Sequence, residues 1–474
     1  MQKLTGLFLG AGASYEAGMP LVWELTKELK NWLTPEKLRT LNQGWRTQGG
    51  GYPDEVIDSF TSALERPDLH YEALLGYLET QYRRHQPNQE HYHGLYSWLV
   101  EMVYHLLYAR HIKNLEFFQK TLPWYSGILT LENRNCPLWV FSLNHDLIIE
   151  SIAAKFDISI YSGFSERKIS LPRRNQTGEQ IGELFAQTLS EDEINGALHF
   201  PNPPKKGIYL LKIHGALDVF AYEDGKNLLK ITPNENTVDS LLESLRSVNE
   251  EVFYPFPGSP NGRANTINEI AYADKSGEMQ FLRRTLLAGA YKFDARQSQV
   301  LPHAFLEQFK TNINFLTSLI CIGYGFGDLH INAVIREWLE LTSDRRLKIV
   351  NPGVTEIPAF LLHLAPQIEV ISNSATDYFD SIGNITRNQR EKLEKRLSVC
   401  IRRHGIDQAV QKMNDFFKAD LSTKTKELAS LLKKSPNLSL EKYLELTSKE
   451  KDLNVDDEMN DKLKRLVEFL EGEH

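Results

Sequence analysis

The chain is 474 residues long, with 41% hydrophobic and 24% charged residues and a net charge of −8. This length carries two or three domains with a sizeable core, the composition is that of a soluble globular protein, and the acidic balance argues against a surface that coats nucleic acid. The three cysteines, Cys136, Cys321 and Cys400, are widely separated and form no C-x-x-C pair, which excludes a zinc ribbon built from thiolates and fits a reducing cytosol. No basic segment followed by a long apolar core opens the chain, and no apolar run reaches membrane-spanning length. The expected location is therefore cytoplasmic, without a membrane.

The run Leu4 to Leu9 reads as a buried strand that breaks into Gly10-Ala11-Gly12-Ala13-Ser14. A strand entering glycines and then a helix start predicts a phosphate cradle, because small residues admit an oxyanion close to free N–H groups. The common dinucleotide fingerprint would place a third glycine at Tyr15; here Gly18 comes three residues late. Leu21, Leu25 and Leu29, with Trp32 beyond, predict an amphipathic helix against the sheet. From about 54 to 131 the pattern is helical throughout, a helical insertion beside the nucleotide site. His91, His93, His105 and His111 fall in it without a carboxylate at ligand spacing, so they are read as solvated or packing residues and no metal site is expected.

Residues 137–143 predict a second buried strand, ending in Asn144-His145-Asp146. Polar residues at the carboxyl end of a parallel strand are where such folds place their chemistry, although Asp146 also suits a helix N-cap. Residues 162–202 read as a polar, solvated flap bearing Arg167, Lys168, Arg173 and Arg174. A third strand over 207–213 delivers His214 and Gly215. A helix over 305–316 and a strand over 316–322 lead into Gly323-Tyr324-Gly325-Phe326-Gly327-Asp328 and a helix from Asp328. A further strand over 347–351 ends in Asn351-Pro352. Beyond Thr376 three apolar stripes follow in turn: Leu393, Leu397, Cys400 and Ile401; Ile406, Val410, Met413 and Phe417; Met459, Leu463, Leu466 and Leu470. They predict an all-helical tail over 376–474.

Four of these stretches, in this order, resemble the sirtuin family. GAGAS followed by AGMP resembles its GAG-x-S loop and G-I-P. Asn144 and Asp146 match its Asn-x-Asp after a strand. His214-Gly215 matches the motif whose histidine is the family's catalytic base. GYGFGDLHIN is similar to the GYSFGD-x-HIN signature of bacterial sirtuin-like proteins, with Gly325 where serine is usual. The resemblance implies a Rossmann-type parallel sheet over 1–375 that binds NAD⁺ as substrate. Gly10, Ala11, Gly12 and Ser14 would hold the pyrophosphate, Gly323, Tyr324, Asp328 and Asn351 the rest of the dinucleotide. Asn144, Asp146 and His214 would act at the nicotinamide ribose.

The family's deacylases carry a zinc ribbon after the histidine motif and a D-F-R triplet after G-I-P. Here the ribbon cannot form and Leu21-Val22-Trp23 stand at the triplet. Water is then the expected nucleophile, and the resemblance to bacterial antiphage effectors implies an NAD⁺ hydrolase that releases nicotinamide and ADP-ribose. The rival expectations are a protein deacylase or ADP-ribosyltransferase, and a non-catalytic NAD or ADP-ribose sensor. The same resemblance implies a homo-oligomer, or control by a HerA-type ATPase, a short Argonaute or a phage-encoded trigger.

Overall fold

The computed structural model describes residues 4–84, 87–223, 225–259, 262–286, 303–404, 408–419, 426 and 455–472. The chain forms two compact units, Met1–Asn384 and Ile385–His474.

The first unit is built on a seven-stranded sheet. With strands numbered along the chain, those of this sheet are β1 (Thr5–Leu9), β2 (Leu138–Ser142), β3 (Ile160–Tyr161), β6 (Ile208–Lys212), β11 (Ser318–Ile322), β12 (Arg346–Val350) and β13 (Ile368–Ile371). The order is β13-β12-β11-β1-β2-β6-β3, and every pairing is parallel. Five of them, β1, β2, β6, β11 and β12, are the expected apolar runs, because a parallel sheet covered on both faces has no polar side; the short, half-buried β3 and β13 at the two edges were not expected. Alternate residues serve opposite cores. Phe8, Phe141 and Leu211 join Phe309 and Trp338 on one face, while Leu7, Val140 and Leu210 join Tyr125, Ile149 and Phe379 on the other. The chain runs from β1 outward through β2 and β6, then returns to the opposite side at β11. The order therefore reverses beside β1, and the loops after β1 and β11 meet there.

Five helices form a separate layer. They are α1 (Val22–Trp32), α2 (Pro35–Thr47), α3 (Asp54–Leu64), α4 (Tyr71–Arg83) and α5 (Gln89–Lys113), and they share a core containing Leu25, Leu29, Phe60, Leu74, Leu99 and Tyr104. Thr34 caps α2 by accepting from Lys37 N at 3.2 Å, with Pro35 in the first turn. His70 Nδ1 caps α4 by accepting from Ala73 N at 3.3 Å. The insertion is helical, as its periodicity predicts, but α1 and α2 belong to the same core. The helix Leu115–Thr121 and the helix Ile128–Arg134 instead pack Phe118, Ile128 and Leu131 under the parallel sheet.

The polar stretch 162–202 is not a flap. It contributes β4 (Lys168–Arg174) and β5 (Gln180–Leu189) to a six-stranded antiparallel sheet with β7 (Val219–Tyr222), β8 (Asn227–Thr232), β9 (Glu269–Ala273) and β10 (Met279–Arg284), in the order β4-β5-β8-β7-β10-β9. One face buries Leu171, Leu184, Ala186, Phe220 and Leu282 with Val248 and Val252 at the helix Val238–Glu250. Arg173, expected to be solvated, lies 2.6 Å from Glu251 and 3.4 Å from Glu243.

The helix Ala375–Gly383 also belongs to the first unit. Its Tyr378 and Phe379 enter the core beneath the sheet, and Tyr125 lies against Phe379 with ring centroids 5.8 Å apart. The unit boundary therefore falls after Asn384 rather than at 375. In the second unit the helices Gln389–His404 and Val455–Glu471 and the helical residues 408–419 gather Leu397, Cys400, Met413, Leu466 and Leu470. The described residues that carry the predicted stripes are helical; residues 420–425 and 427–454 of the expected tail, Ile406 and the Met459 side chain lie outside the described residues. Among the described residues no helix is long and apolar enough to cross a membrane.

Candidate active site

The loops after β1, β2, β6 and β11 open on one side of the sheet around a cavity of about 630 Å³. Clefts beyond the carboxyl ends of parallel strands, where strand order reverses, are the ligand sites of such sheets. Gly10, Ala11, Asn144, His145, Asp146, His214, Gly323, Tyr324 and Asp328 line the cavity from the sheet side. The helical layer supplies the opposite wall through Val22 and Leu25 of α1, His70 to Ala73 at the start of α4, and Leu107 of α5.

The glycine loop is locked to the loop after β11. Gly10 N donates to Ile322 O at 3.0 Å and Gly12 N to Gly323 O at 2.9 Å. Gly323 has φ +65°, and a Cβ there would stand 2.2 Å from Ala13 N; a Cβ on Gly10 or Gly12 would meet the Gly323–Tyr324 backbone at 2.7 Å. The glycines thus serve backbone-to-backbone contact as well as any ligand. Ala13 N and Ser14 N close a short 3-10 turn onto Gly10 O and Ala11 O. The N–H groups of Gly10, Gly12, Ala13 and Ser14 are committed within the protein, and Gly12 and Ser14 lie behind the cavity wall.

Asn144 is buried. Its Nδ2 donates to Gly10 O and to Ser14 Oγ, each at 2.9 Å, which ties the second motif to the first. Asp146 Oδ1 accepts from Ile148 N at 3.0 Å at the start of the helix Ile148–Lys155. Beneath them His111 of α5 is fully buried, and its Nε2 accepts from Leu147 N at 3.2 Å. Burial pushes this imidazole down to about 4, so it is neutral, as an acceptor nitrogen requires.

His214 leaves the end of β6 buried, with Nε2 3.3 Å from Asp328 Oδ2. Asp328 also caps the helix Leu329–Glu340: its Oδ1 accepts from His330 N at 3.1 Å and Ile331 N at 3.3 Å. The His145 ring centroid lies 6.4 Å from that of His214. Tyr324 OH donates toward Asn332 Oδ1 at 2.9 Å and Asp328 O at 3.2 Å, which fixes the turn after β11. Burial holds its phenol far above the ordinary tyrosine range. Asn351 stands outside the cavity wall, where its Nδ2 holds Tyr324 O at 3.3 Å and its Oδ1 accepts from Gly353 N at 2.9 Å. Among the described residues no lysine or arginine lines the cavity, and no cluster of histidines, cysteines and carboxylates could hold a metal ion.

Eight of the eleven site residues expected from the sequence therefore share one cavity; Gly12, Ser14 and Asn351 support it from behind. A buried imidazole paired with a carboxylate can take up a proton, and the amide of Asn144 and the carboxylate of Asp146 can stabilise positive charge developing nearby. Sequence reasoning assigned Asp328 to ligand binding and missed its contact with His214. It also passed over Lys212, a lone cation within an apolar strand, which was the available signal.

No protein-family model matches the chain, and no curated protein matches it. Among solved structures the chain is similar to a triply substituted Sir2 homologue in complex with 2′-O-acetyl ADP ribose, at 13% identity over 81% of this chain and 91% of that one, with a TM-score of 0.36. It is also similar to a Sir2 homologue–NAD complex, at 12% identity over 81% and 88%, TM-score 0.32. A third is a serine-to-alanine Sir2 homologue bound to ADP ribose, at 12% identity over 83% and 94%, TM-score 0.31. The parallel α/β architecture stands on the chain's own strand order and pairing.

Proposed function

We propose that this protein is an NAD⁺ hydrolase that releases nicotinamide and ADP-ribose. The observation that carries the reading is the convergence of Asn144, Asp146 and the His214–Asp328 pair on one cavity at the strand-order reversal. The four-motif sequence resemblance supports it and supplies the identity of the nucleotide. The cavity volume is in the range of sites for small molecules. With Gly10, Gly12 and Ser14 N–H groups already committed, Ala11 is the loop residue left to meet the pyrophosphate.

Nicotinamide departs neutral, so the bond breaks with little acid catalysis and leaves an oxocarbenium-like ribose. Asp146 and Asn144 stabilise that positive charge, and His214 takes the proton of the attacking water while Asp328 balances the imidazolium. The neutral His111 adds no opposing charge under the site. On this reading the protein acts as an antiphage effector that exhausts cellular NAD⁺. Its turnover would then be controlled through self-assembly, or through a partner such as a HerA-type ATPase, a short Argonaute or a phage-encoded trigger.

Nicotinamide release by the full chain, with and without an extract of infected cells, tests the reading. His214→Ala and Asn144→Ala should each lower the rate by about 10²-fold or more while NAD⁺ still binds. Binding by the wild type without release under either condition would sink the hydrolase and leave a sensor.

A further inference from the structure

Lys212 stands on β6, two residues before His214, and is almost wholly buried. An ammonium carries three protons and needs three acceptors when removed from water. Around Nζ are Asn144 O at 3.3 Å, Asp146 O in closer contact, and Glu150 Oε2 at 3.3 Å. Two carbonyls from alternate residues of one loop converge on a single cation. The carbonyl between them, His145 O, accepts from Leu217 N at 3.0 Å. Three successive carbonyls of the loop after β2 are thus drawn to the side of β6 and its continuation.

We infer that Lys212 is a positioning residue: its ammonium gathers the backbone of residues 144–146 and thereby aims the side chains of Asn144 and Asp146 at the cavity beside His214. The catalytic consequence rests on the hydrolase reading; the structural one does not. A bare cation here would oppose positive charge forming in the cavity. Glu150 removes that objection, and it is itself completed by Lys230 at 3.7 Å, which also contacts Asp218. Two ammonium groups and two carboxylates thus balance in a buried tetrad. Burial would lower the Lys230 ammonium, but Asp218 and Glu150 outweigh it and hold the group above its ordinary value. Burial raises Glu150 in spite of both cations.

The test compares two variants that break the same buried ion pair from opposite sides. In Lys212→Met the loop loses its tether; in Glu150→Gln the ammonium still holds both carbonyls. Hydrogen–deuterium exchange of the full chain should show residues 143–149 exchanging at least about tenfold faster in Lys212→Met than in the wild type, with β1 and β11 unchanged. In Glu150→Gln the same segment should stay within about twofold of the wild type. Equal exchange in the two variants, or no change in either, would overturn the inference. If Lys212→Met does not fold, the neutral pair Lys212→Met/Glu150→Leu takes its place, with the same expected contrast. Nicotinamide release adds a second readout. Lys212→Met should lower kcat with KM nearly constant, because the misaimed groups act after binding. Failure of the wild type to turn over NAD⁺ would strike the hydrolase reading and leave the exchange contrast standing.

Discussion

Asp328 divides its carboxylate between two tasks. One oxygen caps the helix Leu329–Glu340 and the other faces His214. An asparagine caps a helix as well as an aspartate does, but it offers no negative charge to an imidazole that takes up a proton. Asp328→Asn should therefore keep the melting midpoint of the wild type. On the hydrolase reading it should lower nicotinamide release at saturating NAD⁺ by about 10²-fold, with KM little changed. An unaltered rate would confine Asp328 to its helix cap. The helix start at Asp328 was legible in the sequence, because a capping residue before an apolar period is a local signal. The pairing with His214 was not: more than a hundred residues separate the two, and no periodicity records such a contact. Lys212 could be singled out as a lone cation in an apolar strand, but its partners were illegible for the same reason, since they are backbone carbonyls of a distant loop.

At the scale of elements, the turn after β1 and the turn after β11 behave as one piece. Gly323→Ala would push a Cβ against Ala13 N at a positive φ. The expected loss is about 2–3 kcal/mol, read as a lower denaturation midpoint. Gly325→Ala, two residues on and with nothing within 4 Å of its Cβ position, should leave that midpoint in place. Similar losses at both would mean that the backbone contact is not what demands the glycine. Five of the seven parallel strands were legible because strands covered on both faces read as unbroken apolar runs; the half-buried edge strands β3 and β13 were not. The antiparallel sheet was not. In β5 the buried Leu184 and Ala186 alternate with Glu183 and Gln187, and in β4 the buried Leu171 is followed by Pro172 and two arginines. Such half-buried strands resemble polar loops until their partners are known.

For the whole molecule, the position of the helix Ala375–Gly383 decides where the chain can be cut. Ending the chain after Asn384 should leave the first unit folded, with its melting midpoint preserved. Ending it after Ser374 removes Tyr378 and Phe379 from the core under the sheet, and the midpoint should fall by about 10 °C or more. Equal midpoints for the two truncations would show that this helix is dispensable to the core. If the chain ending after Asn384 also keeps the oligomer size and resting activity of the full chain, the second unit has no part in controlling turnover. The central strand has a consequence for biosynthesis. β1 pairs with β2 on one side and with β11 on the other, so Leu7 lies between Val140 and Ile320. At ribosomal speeds of about 5–20 residues per second, β1 waits of the order of 15–60 s for its second neighbour to be made. Helices α1 to α5 can close their local core in that interval, while one edge of a strand destined for burial stays open. The nascent chain therefore carries an unpaired strand edge until β11 emerges, and a chaperone would be needed over that whole interval.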